Sequence, residues 1–238
     1  LYTKILEIKV EEADWDSANL GSVVHKVLEN SINFAKDNDG EYTTLDDAKK
    51  SFEKLISGYA FSNDAVKENL HKHGLDALDA YYPIFSQVPV SKVENVEFKI
   101  EGISVGDNEY LEGKIDRIEK NSDGTYNLYD YKTGKAKSLN DVTPEGKKAG
   151  YFNQLCFYKY AFEKMCNAKV SKVGLIFVEE PAKSITLELT NEDMAYIETL
   201  IKETFKNVKS LNFNPTNDTK GDACKYCVYK QLCKLDVL

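Results

Sequence analysis

Residues 112–135 read EGKIDRIEKNSDGTYNLYDYKTGK and contain two strand-like segments, each of which carries an aspartate. Apolar and polar residues alternate on both sides of the Asp123-Gly124 turn, a pattern that is typical of a β-hairpin. Asp116 and Asp130 both lie among apolar neighbours, where an isolated carboxylate is costly to bury. Because buried carboxylates are usually paired or bound to a metal, the two aspartates are candidate metal ligands.

Lys132 follows Asp130 by two residues, so the pleat of a strand turns both side chains to the same face. Two converging carboxylates form a hard oxygen site that suits magnesium or manganese. A neighbouring ammonium stabilises charge on a phosphate or positions an attacking water. Taken alone, Asp130 and Lys132 also fit a solvated pair, and Asp116 with Arg117 fits a salt bridge; their separation by one hairpin makes the combination specific.

Outside this hairpin, apolar spacing is helical in the first third of the chain and alternating in the middle. Thr190 followed by Asp193 predicts a capped helix start. The chain is therefore interpreted as one domain, an α+β or α/β unit over residues 1–238. The predicted elements are a strand at 5–10, helices at 20–34, 45–56 and 65–85, strands at 93–103, 110–119 and 125–132, a helix at 147–165, strands at 169–178 and 184–189, and a helix at 191–208. Within this domain, residues 1–90 form a mainly helical part, 91–210 the core and 211–238 a cysteine-rich tail.

Composition limits the classes of protein that fit. The formal charge of −8 argues against a protein that coats nucleic acid nonspecifically, because such binding depends on Lys and Arg at phosphates. A local basic rim remains compatible with an acidic surface, and the segment from Lys132 to Lys148 either supplies part of one or is a solvated loop. The lysines of this segment are Lys132, Lys135, Lys137, Lys147 and Lys148. Neither a signal peptide nor a membrane span is predicted, so a cytoplasmic protein is expected.

Five cysteines are present, and three of them crowd into the tail as C-x2-C-x5-C at Cys224, Cys227 and Cys233. An odd number in this arrangement does not fit a secreted disulfide framework, whereas ligation of a metal or a cluster does. Cys156 and Cys166 lie in an apolar helical stretch and are expected to be buried thiols.

The sequence resembles the PD-(D/E)XK nuclease superfamily, and within it the RecB-like group that includes the AddB nuclease domain, helicase-associated nucleases and CRISPR-associated exonucleases. The resemblance covers nearly the whole chain. It implies an α+β, restriction-endonuclease-like fold in which helices flank a central mixed β-sheet, with a helical N-terminal region and a small cysteine-rich C-terminal cap. The four blocks that carry the resemblance are Leu20-Gly21-Ser22-Val23-Val24-His25, Gly113-Lys114-Ile115-Asp116-Arg117-Ile118, Asp130-Tyr131-Lys132-Thr133-Gly134, and Gln154 with Tyr158.

Roles for individual residues follow from the resemblance. It implies that His25 and the Tyr131 carbonyl join Asp116 and Asp130 as metal ligands, and that Lys132 is the catalytic lysine. Gln154 and Tyr158 match a Gln-x-x-x-Tyr element that helps to hold the active site or the substrate, and four residues place them on one helix face. Without the resemblance, His25 is interpreted as an ordinary helix histidine. Glu97 matches an acidic position of the preceding strand, but its motif is too short to be relied upon.

The tail cysteines resemble the cluster ligands of the iron–sulfur members of this group. A four-iron cluster normally takes four thiolates, whereas no cysteine precedes Cys156 here. The chain opens at Leu1 and its first methionine is Met165, so it is interpreted as a fragment whose fourth ligand lies upstream. Zinc held by Cys224, Cys227, Cys233 and a non-cysteine ligand is the alternative.

The expected function is metal-dependent hydrolysis of DNA phosphodiester bonds with Mg²⁺ or Mn²⁺. The resemblance implies exonuclease action and a helicase, in the same parent chain or as a partner subunit, in DNA recombination and repair. Three alternatives stay open: a stand-alone exonuclease of the CRISPR-associated type, a catalytically silent nuclease fold that serves as a DNA-binding scaffold, and a zinc-binding partner module fused to an unrelated α+β domain.

Overall fold

The computed structural model describes residues 16–212. The strand expected at residues 5–10 and the cysteines Cys224, Cys227 and Cys233 lie outside the described residues, so their predictions stay predictions.

Three helices form a layer on one face of the molecule: α1 (Asp16–Asp37), α2 (Leu45–Ile56) and α3 (Asp64–Phe85). Thr44 begins α2 by accepting a hydrogen bond from the Asp47 backbone N–H, which satisfies one of the unpaired donors of the first turn. The three helices confirm the prediction of a helical N-terminal region. Their apolar faces meet around residues that are almost fully buried, including Val24, Leu28, Phe52, Leu78 and Phe85.

Within residues 16–212, the central sheet has five strands in the order β1-β2-β3-β4-β5. They are β1 (Val93–Gly106), β2 (Glu109–Lys120), β3 (Tyr126–Lys132), β4 (Val170–Phe177) and β5 (Lys183–Leu187). Strands β3 and β4 are parallel, and every other neighbouring pair is antiparallel. The predicted hairpin meander of the first three strands and the mixed sheet are therefore confirmed.

Two helices cover the opposite face of the sheet, α4 (Ala149–Cys166) and α5 (Asn191–Lys209). Helix α4 provides the crossover that a parallel β3–β4 pair requires. Thr190 and Asp193 form the predicted capping box at the start of α5. Short 3₁₀ helices at Val90–Lys92 and Leu139–Asp141 complete the elements. The architecture is the α+β, restriction-endonuclease-like fold that the sequence predicted.

The sheet separates two hydrophobic cores. One lies against α4 and α5 and contains Ile115, Leu128 and Leu155, and the other lies against α1, α2 and α3. Each fully buried aliphatic or phenylalanine side chain contributes about 1.5–3 kcal/mol, so both faces of the sheet stabilise the fold. Among residues 16–212, no helix has both the length and the apolar character needed to cross a membrane.

One prediction about the cysteines is wrong. Cys156 is buried, as expected, and burial raises the pKa of its thiol to about 12. Cys166, in contrast, is exposed. It is the last residue of α4, where the helix leaves the core before Asn167 ends it in a left-handed conformation. The apolar spacing of the helix does not distinguish its last turn, which points into solvent.

Candidate metal centre

The centre of the site is the contact between β2 and β3. Asp116 lies in β2, and its Oδ2 accepts a 2.7 Å hydrogen bond from the backbone N–H of Tyr131 in β3. Asp130 precedes Tyr131 and points to the face that α4 covers, where Tyr158 contacts it. Both aspartates are almost completely buried, at 5% and 4% exposure. Both carboxylates therefore lie beside Tyr131 on adjacent strands, where the charge of Asp116 acts on Asp130.

Helix α1 adds His25 to these strands. The Nε2 atom of His25 lies 3.0 Å from the Tyr131 carbonyl oxygen, and Nδ1 lies 3.4 Å from Asp116 Oδ2. A close approach of α1 makes this contact possible, because a Cβ at Gly21, one turn earlier, would lie 3.3 Å from the Thr133 hydroxyl. A larger side chain than alanine at residue 21 would therefore push α1 away from the strand end.

Asp130 is held by side chains from α4 and by its neighbour on β3. Its Oδ1 accepts hydrogen bonds from Gln154 Nε2 at 2.9 Å and from the Tyr158 hydroxyl at 3.0 Å. Lys132 Nζ lies 2.8 Å from Asp130 Oδ2 and donates to Gln154 Oε1 at 2.9 Å. In the described part of the chain, the buried Oδ2 has no aligned hydrogen-bond partner despite the nearby ammonium. One carboxylate oxygen of Asp130 is thus left without a directed donor.

Glu97 of β1 is a further carboxylate at the site, and its short sequence motif was not a firm reason to include it. One ligand atom each from His25, Glu97 and Asp116 lie within 4.8 Å of one another. Glu97 has a φ of 51°, a left-handed conformation that is rare for a non-glycine residue within a strand. Its carboxylate forms an ion pair with Lys114. The only available sequence signal was an acid on the strand before the hairpin.

Charges at the centre perturb one another. Burial lowers the pKa of His25. The carboxylates of Asp116, Asp130 and Glu97 raise it by more than burial lowers it, so the net shift is upward. Burial and the Asp116 charge raise the pKa of Asp130, against the opposing effect of Lys132. Burial and the Asp130 charge also raise the pKa of Tyr158, which keeps its hydroxyl a hydrogen-bond donor. The clustered carboxylates therefore favour a positive charge on His25 and disfavour a negative charge on Asp130.

A cleft of about 790 Å³ opens over these residues. Of the predicted basic segment, Lys132, Lys135 and Lys137 line it, whereas Lys147 and Lys148 are not among the described residues of its wall. Further lysines line the cleft from α1, β1 and β2, namely Lys26, Lys99 and Lys114. The cleft thus combines His25 and Glu97 of the candidate metal centre with lysines from four parts of the chain.

Arg117 does not pair with Asp116, its neighbour along β2. It is 4% exposed, and its guanidinium lies 4.9 Å from the ring centroid of Tyr129 and 5.6 Å from that of Tyr131. Its Nη2 forms an ion pair with Glu119 at 3.1 Å. Arg117 therefore packs in the core under α3, which excludes the simple salt bridge with Asp116.

Comparison of the sequence with protein families gives a match to the PD-(D/E)XK nuclease superfamily over residues 1–234. Because the match spans almost the whole sequence, the chain belongs to the PD-(D/E)XK nuclease superfamily. Asp116 of β2 and Asp130 and Lys132 of β3 lie in the segments that carried the resemblance. A search of curated proteins gives no match to this chain.

Solved structures with a similar course of the chain have low sequence identity. A protein from Eubacterium rectale, named as a candidate exonuclease, is 15% identical with a TM-score of 0.48 over 90% of this chain and 75% of its own. The protein SSO0001 is 15% identical with a TM-score of 0.39, covering 90% of this chain and 86% of its own. VC1899 from Vibrio cholerae is 12% identical with a TM-score of 0.27, covering 83% and 53%.

Proposed function

We propose that this protein is a divalent-metal-dependent nuclease that hydrolyses DNA phosphodiester bonds in the cleft above β2 and β3. The observation that carries the proposal is the convergence of His25, Asp116 and the Tyr131 carbonyl on one point, with Lys132 and Asp130 beside them. Membership of the nuclease superfamily supports the reaction class.

The donor set fits a divalent cation. An imidazole and carboxylates within 4.8 Å of one another supply nitrogen and hard oxygen ligands, and Asp130 Oδ2, which pairs with Lys132, offers a further oxygen. We propose His25, Asp116, Asp130 and the Tyr131 carbonyl as the ligands of Mg²⁺ or Mn²⁺, with Glu97 as an additional one. When bound, such a cation neutralises charge on the phosphate and makes a nucleophilic water available near neutral pH.

The remaining side chains of the site orient Asp130 or stabilise charge on the phosphate. The Lys132 ammonium, which lies between Asp130 and Gln154, is positioned to contact the phosphate that enters the cleft. It is assigned to stabilise the charge that develops on the phosphate oxygens. Gln154 and Tyr158 hold Asp130 Oδ1 from the same face of α4, which leaves the second oxygen directed elsewhere. They therefore act as positioning residues.

DNA as the substrate agrees with the charge distribution. The protein as a whole carries a formal charge of −8, yet six lysines line this one cleft. A local basic region attracts a polyanion even when the rest of the surface repels it. The carboxylates of the metal centre, which would repel phosphates without a cation, support a requirement for the metal in productive binding.

A time course on two DNA substrates tests the proposal, with end-labelled linear DNA and closed circular DNA in Mg²⁺ or Mn²⁺. An exonuclease degrades the linear DNA and leaves the circle intact, whereas an endonuclease cuts both. The matched control is Asp116→Asn, which keeps an oxygen for the Tyr131 N–H but removes the charge. Equal cleavage by the wild type and this variant, after both are stripped of metal and reloaded, would contradict the assignment of the site.

A catalytically silent scaffold is the alternative that the same experiment evaluates, since it would bind DNA without cleaving it. The presence of His25, Asp116, Asp130 and Lys132 together argues against it. The resemblance to the RecB-like group supports a place beside a helicase in recombination and repair, and the CRISPR-associated type of exonuclease would use the same residues. Pull-down of a helicase subunit, or its absence, separates these two settings.

A structural metal group at Cys224, Cys227 and Cys233 is also part of the proposal. Its support is the C-x2-C-x5-C spacing alone, because these cysteines lie outside the described residues. Iron and sulfide in anaerobically purified protein would support a four-iron cluster, and zinc without iron would support the alternative. Loss of the metal on Cys227→Ser is the control that ties it to this segment.

A further inference from the structure

Lys114 is a cationic side chain at the metal centre to which the proposed chemistry gives no role. It lies on β2 two residues before Asp116 and lines the cleft. Its ammonium forms an ion pair with Glu97, and Glu97 belongs to the group with His25 and Asp116 whose ligand atoms lie within 4.8 Å. A positive charge thus stands beside a carboxylate that a divalent cation would use.

The two partners of this ion pair differ in their freedom to move. The Glu97 side chain is 18% exposed and the Lys114 side chain 51%. Glu97 is also fixed by its left-handed backbone, which directs the carboxylate from β1 toward α1 and β2. The long and half-exposed lysine is therefore the partner that swings away when the pair is broken.

Lys114 and a divalent ion are alternative electrostatic partners for the Glu97 carboxylate. Lys114 donates to the Glu97 carboxylate in this ion pair, so the two opposite charges are in direct contact. A divalent ion placed among His25, Glu97 and Asp116 would attract the carboxylate with twice the charge of the ammonium and would repel the ammonium. The ion and Lys114 therefore compete for the same carboxylate.

We infer that Lys114 takes the place of a cation at Glu97 in the metal-free protein and is released into the cleft when a divalent ion binds, where it contacts a phosphate of the substrate. The inference rests on the proposed metal centre. Lys114 therefore lowers the metal affinity of the free protein by competing for Glu97, and it contributes to DNA binding after the metal has bound.

Calorimetric titration with Mn²⁺, in the absence of DNA, tests the first half of the inference. Lys114→Met keeps most of the stem but removes the competing charge, and we expect Mn²⁺ affinity to rise roughly tenfold. The matched control is Lys99→Met, because Lys99 is the cross-strand partner of Lys114 and lines the same cleft. The control is expected to change affinity less than about threefold, since Lys99 lies at 4.0 Å from Glu101 rather than at the centre.

A double-mutant comparison identifies Glu97 as the point of competition. In a Glu97→Gln background the Lys114→Met substitution should have little effect, since no carboxylate remains to compete for. Equal gains from Lys99→Met and Lys114→Met, or a Lys114→Met gain that persists without Glu97, would overturn the inference in favour of general electrostatics. If the wild type binds no Mn²⁺, the metal centre itself is wrong, whereas binding that Lys114→Met leaves unchanged refutes only the switch.

Salt dependence of DNA binding tests the second half. A short single-stranded oligonucleotide is titrated with protein carrying Lys132→Met, which retains the metal ligands and slows turnover, in Mn²⁺ and in EDTA. Adding Lys114→Met should reduce the slope of log affinity against log salt by about 0.7 in Mn²⁺ and leave it unchanged in EDTA. An equal reduction under both conditions would show that Lys114 is always available to phosphate, which would overturn the release step.

Discussion

Asp116 Oδ2 accepts a 2.7 Å hydrogen bond from the Tyr131 N–H, and the carbonyl of the same tyrosine lies 3.0 Å from His25 Nε2. One residue of β3 thereby joins β2 and α1. The Tyr131 side chain is 3% exposed and packs near Arg117 on the face of the sheet that α1, α2 and α3 cover. Because core packing fixes this tyrosine, the site geometry is set by the fold before any ligand binds.

The metal-free protein is expected to gain stability when Asp130 is changed to Asn. Burial and the Asp116 charge raise the pKa of Asp130 in the folded state, so its contribution to stability is present at acidic pH and lost as pH rises through the raised value. Thermal unfolding in EDTA should show the variant above the wild type at pH 7, with the difference shrinking toward pH 4. A difference that grows at low pH would contradict this account.

Lys132→Met should reduce turnover by about 100-fold or more while leaving Mn²⁺ affinity within a few fold. The methionine retains the packing of the stem but provides no ammonium for the phosphate. Single-turnover cleavage with saturating enzyme measures the chemical step separately from binding. A rate loss below about threefold would show that Lys132 is only a charged residue of the cleft wall.

The hydrogen bonds of α4 to Asp130 can be tested by a matched pair of tyrosines on that helix. Tyr158→Phe removes the 3.0 Å bond to Asp130 Oδ1 and should lower metal affinity or activity about 10-fold or more, as loss of a ligand-orienting group does. Tyr160→Phe, whose hydroxyl contacts only Lys164 in the described structure, is the control and should behave as wild type. Equal losses in both variants would point to a general effect on α4.

Sequence patterns predicted the elements that depend on periodicity and capping. The hairpin of β2 and β3 places Asp116 and Asp130 on neighbouring strands, and the four-residue spacing of Gln154 and Tyr158 gives their 2.8 Å contact. These relationships are local, since they follow from one hairpin and one helix turn. The Thr190 cap was predictable for the same reason.

Features that depend on packing between distant elements were not predictable. Glu97 reaches the centre through a left-handed backbone conformation, which no alternation of apolar and polar residues encodes. Lys26 and Lys99 join the cleft because α1 packs against β1, and both lysines lie far from the predicted basic segment in sequence. The sequence was compatible with a salt bridge between Arg117 and Asp116, but Arg117 packs against Tyr129 and Tyr131 in the core under α3.

Lys135 and Lys137 are expected to bind DNA phosphates on one side of the centre. Each change to Gln should weaken DNA binding uniformly across sequences and lower the salt slope by about 0.7–0.9. The control is Lys72→Gln on α3, an exposed lysine that pairs with Asp76 at 3.0 Å. If the control lowers the slope as much as the two cleft variants do, binding follows net charge rather than this cleft.

Because of His25, metal binding should depend on pH in a range above the ordinary pKa of histidine. Burial opposes its charged form, but Asp116, Asp130 and Glu97 outweigh burial and raise its pKa in the metal-free protein. A metal ligand must be neutral imidazole, so a proton competes with the ion until pH exceeds that raised value. Mn²⁺ affinity of the wild type should therefore increase as pH rises past about 6.5, the unperturbed value, and binding should release a proton. His25→Gln should bind Mn²⁺ at least about tenfold more weakly and without this pH dependence.

Protonation of His25 should also affect the stability of the metal-free protein, with a pH dependence opposite to that of Mn²⁺ affinity. Because the folded-state pKa of His25 is raised, the stability it contributes is present at low pH and is lost as pH rises through the raised value. The advantage of wild type over His25→Gln in EDTA should thus be larger at pH 5 than at pH 8. His71→Gln is the matched control, since His71 pairs with Glu53 on the surface, away from the cleft. For the metal-binding prediction, a wild-type Mn²⁺ affinity that does not change between pH 5 and pH 8 would contradict the assignment of His25 as a ligand. An equally steep dependence of Mn²⁺ affinity on pH in His25→Gln would contradict it too.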